Sequence, residues 1–192
     1  MLFSILNSHM EYIYRLNLPT LPTVLLDSVS TKLEHNPDHP IVERYDAYEL
    51  IKPEWLTING YQWTSVVYFY KPTNFVGKIH RDSDNFNEMP WAINWIYGGT
   101  GVLSYYLPES IPEPVTMINH MGYPVLKYAE MGNDTHVPEK KYVMEQGAYL
   151  ANASIPHLPS SLGQRHCVSI RSDASYNIPW ERVVDSFEHY II

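Results

Sequence analysis

Trp91-Ala92-Ile93-Asn94-Trp95-Ile96-Tyr97, then Gly98-Gly99-Thr100-Gly101, then Val102-Leu103-Ser104-Tyr105-Tyr106 is the stretch that decides the fold. Two runs rich in aromatic and β-branched residues flank a glycine cluster, which is the pattern of strand, turn and strand. The glycines read as a hairpin turn that needs positive φ. A phosphate cradle would require a helix after them, and Val102 to Tyr106 looks like a strand instead.

Working outward, the same texture recurs at Gln62–Tyr70, Val76–Asp82, Val125–Glu130, Gly147–Asn152 and Arg165–Arg171, punctuated by Pro, Gly and Asn. With the two opening runs this makes seven strands, and the alternating helices that a parallel sheet needs are missing. The expectation is a mainly β (α+β) jelly roll or barrel spanning about 62–171 of a single domain, 1–192. Helical spacing of Leu25, Leu26, Val29 and Leu33 predicts a helix over about 22–34, stopped at Asn36-Pro37. Trp180, Val183, Val184 and Phe187 share one face of a second, over about 179–190, with Pro179 in its first turn. Both helices are expected to brace the sheet.

Composition narrows the function. A chain of 192 residues with 45% hydrophobic and 18% charged residues is large enough to bury a core. Its net charge of −8 and the lack of a basic run make nucleic acid a disfavoured partner. Cys167 is the only cysteine, which excludes an intrachain disulfide and cysteine-rich metal sites. The apolar opening Met1 to Leu6 has no basic leader or cleavage site, and no later run has the length of a membrane span. The expectation is a soluble cytoplasmic protein with no membrane partner.

Chemistry concentrates at His80-Arg81-Asp82. Strand side chains alternate faces at a rise of roughly 3.3 Å per residue, so His80 and Asp82 project the same way while Arg81 points oppositely. A third ligand from a distant strand would complete a two-histidine, one-carboxylate set, which leaves positions of a ferrous ion open for oxygen and a co-substrate. The run also matches a protein-kinase catalytic loop by chance, because the glycine-rich loop, strand lysine and D-F-G metal site are missing. As a calcium loop it fails too: Phe86 and Asn87 stand where a ligand and the turn glycine belong.

The order of these features, H-x-D, a strand with Asn94, a glycine turn, Ile155-Pro156-His157 and then Arg165, resembles the Fe(II)- and 2-oxoglutarate-dependent dioxygenases. The resemblance implies a double-stranded β-helix, cupin-like, with His80, Asp82 and His157 as iron ligands. It implies that Arg165 grips the distal carboxylate of 2-oxoglutarate, with Arg171 as the substitute if Arg165 points away. Tyr70 and Asn94 are carried over as hydrogen-bond partners of the co-substrate. Arginine suits the grip, since its planar fork donates two parallel hydrogen bonds and keeps its charge in a closed pocket. His166 should share a face with Val168 and Ile170, away from the site, and Trp91 and Trp95 read as packing.

The implied reaction hydroxylates a protein side chain or small metabolite and releases succinate and carbon dioxide. Two other readings share the barrel: a cupin-type metal protein that does not use 2-oxoglutarate, and a non-catalytic binding module. Pro108 to Lys141, with five prolines, is placed as a rim loop or lid.

Overall fold

A computed structural model of the chain describes residues 10–19, 40–46, 57–118, 124–128, 136–172 and 176–192. The expected helix over 22–34 lies outside the described residues. Two six-stranded antiparallel sheets make up most of the molecule. The first runs, in order, β1 (Ile13–Leu16), β12 (Gly147–Asn152), β7 (Trp91–Gly98), β14 (Arg165–Arg171), β5 (Ser65–Lys71) and β2 (Ile41–Asp46). The second runs β11 (Lys140–Met144), β8 (Gly101–Tyr105), β13 (His157–Ser161), β6 (His80–Arg81), β10 (Pro124–Tyr128) and β9 (Pro114–Ile118). A short hairpin, β3 (Thr57–Ile58) and β4 (Tyr61–Gln62), stands apart. This is a jelly roll of the cupin type, as expected, although its sheets also draw in strands ahead of residue 62.

The glycine cluster is not a hairpin. β7 pairs with β12 and β14, and β8 pairs with β11 and β13, so both edges of each strand are taken by distant partners. Gly98, at φ 85°, therefore starts a crossing from one sheet to the other. The run expected over Val76–Asp82 also shortens, to the two ladder residues His80 and Arg81 and a lone bridge between Val76 and Ser160. Opposite it Pro159 has no N–H to offer, and the two segments are joined by Gly77 N donating to Pro159 O at 2.9 Å and Ser161 N donating to Phe75 O at 2.8 Å.

Alternation divides each strand of the first sheet between two environments. Val66, Tyr68, Tyr70, Ile93, Trp95, Val168 and Ile170 face outward into an apolar layer that also holds Trp91, Trp180, Val183 and Phe187. The last three come from α1 (Trp180–Phe187), which starts just after Pro179 and runs on as a 3-10 turn over Glu188–Tyr190. Burying such side chains stabilises by roughly 1.5–3 kcal/mol each. Val67, Phe69, Asn94, Ile96 and Cys167 face inward, toward a cavity between the sheets. No described helix is long and apolar enough to cross a membrane.

Candidate metal centre and co-substrate cavity

His80 and His157 meet because β6 and β13 are neighbours in the second sheet, where the two residues are directly paired. Their rings lie 4.4 Å apart between centroids. Asp82 follows the end of β6, where its backbone N–H donates to Ala153 O at 3.2 Å. One donor atom from each of the three lies within 4.8 Å of the others. Both rings are tied the same way: His80 Nδ1–H donates to Lys78 O at 2.8 Å, and His157 Nδ1–H to Ile155 O at 2.9 Å. A carbonyl only accepts, so each bond fixes the tautomer that leaves Nε2 with a lone pair for a metal.

Asp82 divides its oxygens. Oδ1 lies 3.5 Å from His80 Nε2, and Oδ2 accepts from Arg171 Nη1 at 2.8 Å. Burial pushes the Asp82 carboxyl up, but Arg171 and the two imidazoles outweigh it and bring it down to about 2. Burial, with His80 alongside, pushes His157 down to about 4, and burial also lowers His80. The donors therefore hold the states metal binding needs, an ionised carboxylate and neutral imidazoles, across the neutral range.

Arg81, on the other face, is buried and organises the surrounding loops. Its guanidinium donates to Ser154 O at 2.7 Å, Ser83 O at 2.6 Å, Asn85 O at 3.0 Å and Glu88 O. The segment leading into His157 and the loop beyond Asp82 thus hang on one side chain. Tyr105, also buried, packs against His157 with ring centroids 5.8 Å apart.

A cavity of about 620 Å³ connects this centre with Arg165, Arg171 and Asn94. Arg165 is only 5% exposed, and its Nε and Nη1 have no hydrogen-bond partner among the described residues. Leaving buried donors unmet costs about 1–3 kcal/mol each, so this guanidinium fits a carboxylate brought in from solution. Gly101 makes room for it, since a Cβ there would stand 2.0 Å from Arg165 Nη1. Arg171, the substitute, is instead occupied by Asp82.

Tyr70 is not in the cavity. It pairs with His166 on the outward face, because the alternation that turns Phe69 and Lys71 inward turns Tyr70 the other way. Lys71 was missed by one position: a strand carried to residue 71 rather than 70 puts it on the face of Ser65, Val67 and Phe69. It is paired with Arg165 across β5 and β14, and burial together with that neighbour lowers its ammonium to about 8. His166 faces outward as expected, bonded to the Tyr68 hydroxyl at 2.7 Å.

No protein-family model matches the chain, and no curated protein does. Among solved structures it is similar to cupin-fold proteins. Salicylate 1,2-dioxygenase from Pseudaminobacter salicylatoxidans is 9% identical over 86% of this chain and 35% of its own, with TM-score 0.41. The coconut allergen cocosin is 13% identical over 80% and 35%, with TM-score 0.40. Escherichia coli ycfD is 14% identical over 70% and 30%, with TM-score 0.37. The chain spans about a third of the length of these proteins.

Proposed function

We propose that the chain is a non-haem Fe(II)- and 2-oxoglutarate-dependent oxygenase that hydroxylates a protein side chain or a small metabolite. One observation carries this reading. A single cavity holds both a His80–Asp82–His157 donor set and a buried arginine with unmet donors.

His80 and His157 would hold iron through Nε2, and Asp82 through Oδ1. Arg171, by taking Oδ2, keeps the carboxylate ionised and leaves Oδ1 as the oxygen that would face a metal. Arg165 would receive the far carboxylate of 2-oxoglutarate in its planar fork, with the ammonium of Lys71 close by. Asn94, on the cavity wall, offers an amide to the same ligand. When bound, iron would activate dioxygen, the oxidant, while 2-oxoglutarate would supply two electrons as it is decarboxylated to succinate and carbon dioxide. The apolar wall from Val67, Phe69, Ile96 and Leu103 keeps water from the reacting atoms. A cytoplasmic location belongs to the same proposal.

Succinate release from 2-oxoglutarate in the presence of ferrous ion tests the reading. Turnover is expected for the wild-type chain and none for His80→Ala. Arg165→Ala should raise the 2-oxoglutarate KM by roughly 30-fold or more, the loss of about 2–3 kcal/mol from an unpaired charge contact. A chain that binds ferrous ion but never consumes 2-oxoglutarate would be a plain metal-binding cupin.

A further inference from the structure

The protein as a whole is acidic, at −8, yet its cavity is not. Five basic residues line it: Lys71, Lys78, Lys127, Arg165 and Arg171. Only three carboxylates do so, Asp82, Asp84 and Glu88. Asp82 is taken by Arg171. Glu88 accepts from Ser83 Oγ at 2.6 Å and from Asn85 Nδ2 at 3.3 Å, and Arg81 lies in the field of Asp84. Lys78 has a partner of its own. Arg165 and Lys71 stand side by side on the first sheet, where the proposed co-substrate accounts for them.

That leaves Lys127. It lies on β10 of the opposite sheet, directly across the ladder from His80, and it is half-buried in the cavity wall. Among the described residues it has no ion pair and no hydrogen bond. Directly opposite residues carry their Cβ atoms about 4.5–5.5 Å apart. An ammonium on a four-carbon stem rooted there overlooks the metal centre from the side away from Arg165. A wall with an unmatched positive charge concentrates anions in a low-dielectric cleft. We propose that the substrate is an anion whose carboxylate or phosphate group is held by Lys127, which sets its C–H bond over the His80–Asp82–His157 centre. The inference rests on the oxygenase reading for the chemistry, but not for the binding.

The test uses the full metal-free chain and matched probes: propionate against propionamide, glutarate against glutaramide, and glycerol 3-phosphate against glycerol. Binding is read by ligand-observed NMR with wild type, with Arg165→Met, and with Lys127→Met and Lys127→Arg each made in the Arg165→Met background, so that the carboxylate grip assigned to Arg165 is removed from the comparison. In wild type and in Arg165→Met, at least one anion is expected to bind about tenfold tighter than its neutral partner. Lys127→Met should lose that preference and Lys127→Arg should keep it, and the arm that responds separates carboxylate from phosphate. The inference is overturned if neutral partners bind as well, if the preference survives Lys127→Met, or if it vanishes in Arg165→Met. Absence of any anion binding at about 10 mM, a free energy near 3 kcal/mol, overturns it too. An anion preference centred on Lys127 without 2-oxoglutarate turnover would sink the oxygenase reading alone. Turnover without the preference would sink only this inference.

Discussion

His157 is a buried imidazole that the fold keeps neutral down to about pH 4, whereas in the unfolded chain it takes up a proton near 6.5. Between those values the unfolded state binds more protons. Stability of the metal-free chain should therefore fall as pH drops from about 6.5 to 4, by up to ~3 kcal/mol, with His80 acting in the same direction. Asp82 acts lower, because its folded value of about 2 lies beneath the ordinary 3.8, so its contribution is full above that value and lost toward pH 2. Urea midpoints across this range check the sign, and His157→Gln should flatten the upper part of the profile. A second prediction concerns Arg171. Arg171→Met leaves the Asp82 carboxylate buried without its cation, and ferrous affinity measured by anaerobic calorimetry should drop about 10–100-fold. An unchanged affinity would show that Arg171 only packs.

Elements impose their own sensitivities. The crossing from β7 to β8 needs Gly101 bare, because a methyl group there would meet Arg165 Nη1 at 2.0 Å and Ser160 O at 2.4 Å. Gly101→Ala should push the guanidinium aside. Thermal unfolding is expected to show a loss of about 1–3 kcal/mol from overpacking, along with weaker 2-oxoglutarate binding, while metal binding stays near wild type. On the outer side α1 covers the first sheet through Trp180, Val183 and Phe187, and Phe187 is fully buried against Tyr61 and Trp91. Phe187→Ala should cost about 3–5 kcal/mol in denaturant unfolding, the range for emptying a large aromatic site. A loss under about 1 kcal/mol would mean that the helix is not part of the core.

Across the whole molecule, what could be read ahead was what depends on period-two alternation within a strand. Arg165 and Cys167 turned inward and His166 outward, and His80 and Asp82 came together with Arg81 opposed, all from counting by twos. Strand edges were harder, since stopping one residue short hid Lys71, and the place given to Tyr70 came from the family resemblance rather than from alternation. Pairings between distant strands were not legible at all. Nothing local tells Gly98 to Gly101 that β7 and β8 will find partners in different sheets, because that is settled by β11, β12, β13 and β14 far along the chain. The edge strand Pro114–Ile118 was hidden inside a segment whose prolines read as loop, and the edge strand Lys140–Met144 begins only at that segment's end. Asn59-Gly60, both at positive φ, was a hairpin signal left unread.

The proposed metal donors lie on or just past strands of the second sheet, whereas Arg165 and Lys71, the proposed anion grip, belong to the first, and Arg171 reaching Asp82 is the strap between them. The centre is thus a gauge of how the two layers sit on each other. Trimming Ile96 or Met144, which fill the gap between them, would detune turnover by letting one layer drift past the other with every reacting side chain intact. Damage of that kind would look like a catalytic lesion in kinetics while originating in the filling.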